Sequence, residues 1–458
     1  MERHTPVRIR LVGAMIFLLA TLTTAAAYHA QRHRLVLPEV QDTTETTSPT
    51  PPTPSGLATP APLSQAETGS FFVASKIGSE IGEKQKPRIA NVRAEDLDQD
   101  GLLDVIVCDV RRHAVRWIRQ SPRGVFVEQP CGQMVRAPAH AEPTDIDQDG
   151  DMDLLVASLG RLYPTNDKIG SVVVLENDGR MAFVNHVIAE KIPRTSDVRG
   201  GDLDGDGDMD LAVTMFGAFD GGTGWLENTG GWRFKLHWLQ HLAGPINCEI
   251  ADIDKDGDLD IAVLVSQNWE EIYIFLNDGQ GSFTPRVVYG ATNEDYGSSH
   301  MRLVDLDRDG DLDILYTNGD SWDFDPPRPQ PWHGVQWLEN TGPLQFVFHR
   351  ITDLGGVYAA LPFDVDADDD LDIVALSMFN DWENPDAQSI VLLENDGQCR
   401  FVRHDMETRP THIQTGDWGD FDGDGHVDFV TGGMYTFKPF GQISRLLLWR
   451  NRTATAVD

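Results

Sequence analysis

Seven segments of this chain repeat the phrase Asp-x-Asp-x-Asp-Gly-x-x-Asp, a spacing that gathers the carboxylates of one turn around one centre. The first three sets are Asp96, Asp98, Asp100 and Asp104; Asp145, Asp147, Asp149 and Asp153; and Asp202, Asp204, Asp206 and Asp210. The other four are Asp252, Asp254, Asp256 and Asp260; Asp305, Asp307, Asp309 and Asp313; Asp364, Asp366, Asp368 and Asp372; and Asp420, Asp422, Asp424 and Asp428. Acids at positions 1, 3 and 5 turn three hard oxygen donors inward, position 7 offers its carbonyl, and the acid at position 9 can bind through both oxygens. Six to eight oxygens around one centre suit calcium, and glycine at position 6 permits the sharp turn. The last acid stands at position 9 rather than 12 and strand-like runs flank the loop, so the pattern is not a helix-flanked EF-hand. Up to seven structural Ca²⁺ ions are expected, with binding energy appearing as folding energy because the converging carboxylates otherwise repel one another. Metal-free acidic hairpins are the alternative for any single copy. In the sixth, Asp369 replaces the glycine; Asp tolerates the left-handed backbone better than a β-branched residue, so a weakened site is expected there.

The elements that must position these loops follow from the spacing. The first acids lie 49, 57, 50, 53, 59 and 56 residues apart, a period that fits a four-stranded blade with loops rather than a helical pair. Each acidic loop runs into a β-branched stretch such as Val105-Ile106-Val107 or Ile261-Ala262-Val263, the composition of a buried strand. A further phrase, Leu175-Glu176-Asn177-Asp178-Gly179 and its relatives at Leu226, Leu276, Leu338 and Leu393, reads as the end of a third strand entering a tight turn. A fourth strand opens near Phe183, Phe234, Phe283, Phe346 and Phe401. The seventh copy has a third strand, Leu446 to Asn451, with no such fourth strand after it, and the segment Gly69 to Ile77 has the missing pattern. The expected fold is therefore all-β: a seven-bladed β-propeller of four-stranded antiparallel blades, its last blade closed by the N-terminal strand, which removes open sheet edges.

The phrase Asp202-Leu203-Asp204-Gly205-Asp206-Gly207-Asp208-Met209-Asp210, together with the Leu-Glu-Asn-Asp-Gly hairpins, resembles the FG-GAP/VCBS repeat family over about residues 69–451. Members of that family include integrin α-subunit heads, so the resemblance implies a seven-bladed propeller with calcium in the hairpin between first and second strands. It implies little about function, because the family spans adhesion, ligand binding and some carbohydrate-active enzymes.

Ahead of the repeats, residues 1–30 carry Arg3, Arg8 and Arg10 before an apolar run at 11–27, which reads as a signal peptide or a retained signal anchor, hence a possible membrane tether. Residues 31–68 are rich in Pro, Thr and Ser and read as a disordered spacer; 69–451 form the propeller and 452–458 a tail. An extracytoplasmic location is expected, whether secreted, periplasmic or membrane-anchored. The net charge of −35 offers no basic stripe for nucleic acid. Four cysteines, Cys108, Cys131, Cys248 and Cys399, are too few for a disulfide framework or a zinc site; Cys108 and Cys131 read as buried free thiols, with a bridge between them the alternative.

If the acidic loops occupy one face of the disc, the loops joining second to third strands emerge on the other, and these are rich in aromatics. Tyr163, Trp269, Trp322, Trp332, Trp382 and Tyr435 are the candidate ligand-binding residues, accompanied by polar neighbours such as Asn166, Asn268, Asp323 and Glu383. Flat rings beside amides and carboxylates suit a glycan, and also an extracellular protein. Three residues before each acidic loop stand Arg93, Glu142, Arg199, Glu249, Arg302, Leu361 and Asp417, an alternation of charge that predicts ion pairs between neighbouring blades. Two residues earlier come Asn91, His140, Asp197, Asn247, His300, Ala359 and Thr415, which would make the funnel polar. The reading is a calcium-binding adhesion or binding module at the cell surface or beyond it. The alternatives are a lyase-like carbohydrate-active enzyme using His140, Glu142, Asp197, Glu249 and His300, and an architectural surface component.

Overall fold

The computed structural model of this protein describes residues 71–79, 86–217, 219–267, 269–440 and 442–453. The expected signal segment 1–30, the spacer 31–68, Asn268 and the tail from 454 onward lie outside these residues. Among the described residues every strand belongs to one of seven four-stranded antiparallel sheets, and there is no helix. Six sheets are simple meanders in chain order. The seventh takes three strands from the end of the chain and one from its start: Phe72–Lys76 pairs antiparallel with Leu446–Asn451, from Phe72 opposite Asn451 to Lys76 opposite Leu447. The expected closure of the last blade is thus observed.

The first strands pack side by side around a closed ring, that of blade 1 (Ile89–Glu95) touching those of blade 2 (Pro138–Thr144) and blade 7 (Ile413–Gly419). Second strands such as Asp104–Asp109 are buried along their whole length because each is covered on both faces by a neighbouring blade. Alternation sends Val105 and Val107 into the contact with blade 7, and Ile106 and Cys108 into the contact with blade 2. A two-sided burial explains the unbroken β-branched runs, which a sheet with one wet face would interrupt with polar residues. The core is accordingly divided into one apolar cluster at each contact between blades. Truncating Ile106 to Ala would leave a cavity costing about 2–5 kcal/mol. Fourth strands are outermost and half-exposed; those of blades 2 to 5 begin on Phe183, Phe234, Phe283 and Phe346, and blade 1 supplies a further Phe126. All four cysteines are free thiols, with Cys108 and Cys131 buried in one cluster.

Candidate functional site

The acidic loops connect first to second strands. Glycine at position 6 has φ between 85° and 101° in six copies, and Asp369 adopts φ 72° in the sixth, so the replacement keeps the left-handed turn. Position 4 is left-handed too, including Gln99, Gln148, Lys255, Arg308 and Ala367, a second strained position that the motif does not announce. The acid at position 1 caps the turn: Asp96 accepts the N–H groups of Asp100 at 2.9 Å and Gly101 at 2.8 Å. Carboxylate oxygens of Asp96, Asp98 and Asp104 lie within 4.8 Å of one another, as do those of Asp145, Asp147 and Asp153, of Asp252, Asp254 and Asp260, and of Asp305, Asp307 and Asp313, while in blade 3 the trio is Asp202, Asp204 and Asp206.

The acid at position 9 begins the second strand and is buried. In blade 3 Asp210 Oδ2 accepts the Leu203 N–H at 3.1 Å and Oδ1 accepts the Asn228 N–H at 2.7 Å. Asn228 Nδ2 in turn donates to the Met209 carbonyl at 3.2 Å. The same clasp recurs at Asp153 with Ile146 and Asn177, Asp260 with Ile253 and Asn277, and Asp372 with Val365 and Asn395. It explains why Asn ends the recurring Leu-Glu-Asn phrase. Burial pushes Asp104, Asp153 and Asp372 up to about 7, and Asp210, Asp260, Asp313 and Asp428 up to about 6, against the pull of the backbone donors. Meanwhile Asp98 Oδ1, Asp252 Oδ1, Asp254 Oδ1, Asp305 Oδ1 and Asp422 Oδ1 are buried without a hydrogen-bond partner. Orphaned anionic oxygens beside raised carboxyl groups are the donor set for an oxygen-seeking cation.

On the opposite side, an axial cavity of about 370 Å³ is lined by all seven residues of the polar row, Asn91, His140, Asp197, Asn247, His300, Ala359 and Thr415. A β-bulge falls just ahead of six of them, for example between Thr195 and Asp197 and between Pro245 and Asn247, turning the side chain off the blade surface toward the axis. Several also staple blades together: Asn247 Oδ1 accepts the Met301 N–H at 2.9 Å and Asp197 Oδ2 accepts the Cys248 N–H at 3.1 Å. The charged row below forms the expected belt. Arg93 reaches Asp417 at 3.7 Å and Glu142 at 3.4 Å, Arg199 reaches Glu142 at 2.7 Å and Glu249 at 3.4 Å, and Arg302 reaches Glu249 at 3.5 Å. Leu361 leaves the one gap. Arg199, His140 and Arg93 hold the Glu142 carboxyl far below its ordinary range despite burial, while burial and Arg302 hold His300 neutral. Glu142 is therefore a satisfied ion and a poor proton donor.

Of the six aromatic candidates the structure brings Tyr163 and Trp322 to the cavity. They come from blades 2 and 5, and their rings meet edge to face at 6.4 Å, bridging the funnel. Trp322 also packs on Phe379 and Phe437. Trp382 is buried with its indole N–H on the Met378 carbonyl at 3.1 Å, Trp332 donates to the Asp295 carbonyl at 3.0 Å, Trp269 packs into the contact between blades 3 and 4, and Tyr435 stacks on Phe440 at 4.0 Å. Trp382 and Tyr435 thus support their own loops, Trp332 ties its loop to the connection between blades 4 and 5, and Trp269 belongs to a contact between blades. Arg194, Phe216, Asp320 and Tyr358 complete the wall. Arg194 gave no sequence signal, because it opens a first strand outside both repeated rows.

The FG-GAP-like repeat pattern matches residues 96–156, 145–213, 252–316 and 364–431, more than half of the chain. The chain belongs to the FG-GAP-like repeat family. No curated protein matches it in sequence. Similar solved structures include the crystal structure of BBS1N in complex with ARL6DN soaked with lead, at 11% identity and a TM-score of 0.47, covering 83% of this chain and 97% of that one. The same complex soaked with mercury gives 10% identity and a TM-score of 0.49, with the same coverage. Its FG-GAP-like repeats and its propeller mark the chain as a binding or scaffold module.

Proposed function

We propose that this FG-GAP-like propeller is an exported binding protein, stabilised by Ca²⁺ in its acidic loops, that engages a glycan through the axial cavity on its aromatic face. The observation that carries the reading is the cavity itself: about 370 Å³, walled by Tyr163, Trp322, Phe216 and Tyr358 and by the amides of Asn91, Asn247, Gln267 and Gln414. Apolar rings provide the face of a sugar ring with a contact surface, and convergent amides match its hydroxyls. Calcium is the cation of choice because the loops offer only oxygen, from several carboxylates and a carbonyl. The acids at positions 1, 3, 5 and 9 would hold it, and the ion would supply charge neutralisation, not chemistry at the cavity. An extracellular protein loop is the second occupant considered, and the exposed Phe219, 81% accessible, favours it at the rim.

An acid–base enzyme is the weaker reading, since His140 is already bonded to Glu142 at 3.1 Å and lies 3.4 Å from Asp197. Screening the full-length chain against an array of glycans, with Trp322→Ala beside it, tests the proposal. Binding that Trp322→Ala abolishes is expected; an array without a binder, or binders that Trp322→Ala holds as tightly, would sink it.

A further inference from the structure

Arg194 is 3% exposed and forms part of the cavity wall. Its guanidinium lies 5.2 Å over the Phe216 ring, and Nε donates to the Arg161 carbonyl at 3.0 Å while Nη2 donates to the Leu162 carbonyl. The remaining nitrogen, Nη1, is shielded from water and has no hydrogen-bond partner. Among the described residues no carboxylate pairs with it: burial and, after it, the Arg161 charge together lower its pKa to about 10, and it remains a cation at neutral pH. The contrast with the belt is direct, since Arg93, Arg199 and Arg302 each face at least one acid. A buried cation that is neither paired nor hydrated is costly, and an anionic ligand would relieve that cost.

We infer that Arg194 anchors an anion subsite and that the cavity takes an acidic sugar unit, its carboxylate on Arg194 and its ring against Tyr163 and Trp322. The inference rests on the glycan reading and deepens it. Nη1 is the one guanidinium nitrogen without a partner, so the contact it offers is to a single acceptor oxygen, with no two-nitrogen fork left for a bidentate grip. Asp320 and Asp323 also line this cavity and would repel a dianion, yet they can accept hydrogen bonds from sugar hydroxyls. The Leu162–Pro164 segment, whose backbone Arg194 holds, forms adjoining wall and carries Tyr163, so one side chain sets both the anion contact and the aromatic contact.

The test compares two probes that differ only at C6: a cello-oligosaccharide and the β-1,4-oligoglucuronate of equal length, titrated by calorimetry into the full-length protein with calcium present. The uronate is expected to bind at least about tenfold tighter, with Arg194→Gln losing that preference and Arg194→Lys keeping part of it. Trp322→Ala should weaken both probes alike. If Arg194→Gln does not fold, the wild-type protein still decides, because raising salt should weaken the uronate alone. Equal affinity for the two probes, or a preference that Arg194→Gln retains, overturns the Arg194 site and leaves the glycan reading standing. Binding of neither probe overturns it as well, and the glycan reading is then decided by the array.

Discussion

The acidic loops of blades 2, 3, 5 and 6 share their four Asp positions with those of blades 1 and 7, but the residue that overlooks them from the third strand differs. In the first group it is Glu176, Glu227, Glu339 or Glu394, each close enough to push the position-3 acid of its loop upward. A histidine ten residues on holds each Glu: His237 on Glu227 at 2.6 Å, His349 on Glu339 at 2.6 Å, His404 on Glu394 at 2.5 Å, and His186 on Glu176. In the second group the place is taken by an arginine. Arg119 Nη2 lies 2.5 Å from Asp98 and 3.1 Å from Asp100, and Arg450 lies 3.7 Å from Asp422. One group of loops gathers a fifth carboxylate and the other carries its own cation. Affinity for a hard cation is tuned by the charge count of its ligands, so a motif shared by seven loops need not give seven equal sites.

Removing metal is the largest perturbation. If the Glu loops hold calcium, EGTA should lower the melting temperature on the order of 10 °C, since several occupied sites each contribute through mass action. Counting ions by native mass spectrometry across a calcium titration should show loops 2, 3, 5 and 6 filling before loops 1 and 7. Seven sites filling together would break the distinction.

The next effect separates the clasp from the ligands. Asp210→Ala strips the acceptor from two backbone N–H groups, Leu203 and Asn228, and should cost about 2–5 kcal/mol in chemical denaturation even with EGTA present. Asp204→Ala should cost stability only in calcium, because Asp204 accepts just the Asp206 N–H inside its own turn. Equal losses for both variants in EGTA would show that the position-9 acid has no separate structural role.

A smaller effect turns one class into the other. Arg119→Glu should add one bound ion at subsaturating calcium, and Glu227→Arg should remove one, each read as a change in ion count with a melting shift of about 1–3 °C. An unchanged count in both variants would mean that the third-strand residue does not set loop affinity.

Much of this geometry could be read in the chain. The period, the β-branched runs and the unmatched Leu446–Asn451 strand specify blades and their closure, because they depend on local pattern and on the need to cover edges. The polar and charged rows were legible for the same reason: each sits at a fixed offset from a repeated loop, so a ring of blades must bring the rows together. The Glu-His pairs also had a signal, a spacing of ten residues from Glu176 to His186, Glu227 to His237, Glu339 to His349 and Glu394 to His404. What escaped was set by packing outside the repeat. Trp382 and Trp332 look like a rim in sequence, yet their indole N–H groups are satisfied by backbone carbonyls, that of Trp382 within its own loop and that of Trp332 on Asp295 in the connection between blades 4 and 5. Arg194 became visible only when its neighbours did, since no pattern reveals which charge will lack a partner.

The comparison can be sharpened by an acid that belongs to neither class of loop. Glu270 is 3% exposed and accepts the N–H groups of Ser298 at 2.9 Å and Gly297 at 3.3 Å. Burial, with Asp320 adding to it, raises its carboxyl from an ordinary value near 4.5 to about 8, against the pull of those donors. A folded-state value above the unfolded one contributes stability in full below about pH 4.5, and that contribution is lost as pH rises through 8. Measured in saturating calcium, where the loop acids are held ionised, the wild-type melting temperature should therefore decline between pH 5 and 8.5 by about 1–3 °C through this group. Glu270→Gln should flatten that slope while leaving the ion count unchanged. A slope that survives the substitution would place the titration elsewhere, and a change in ion count would tie Glu270 to the loops from which the structure separates it.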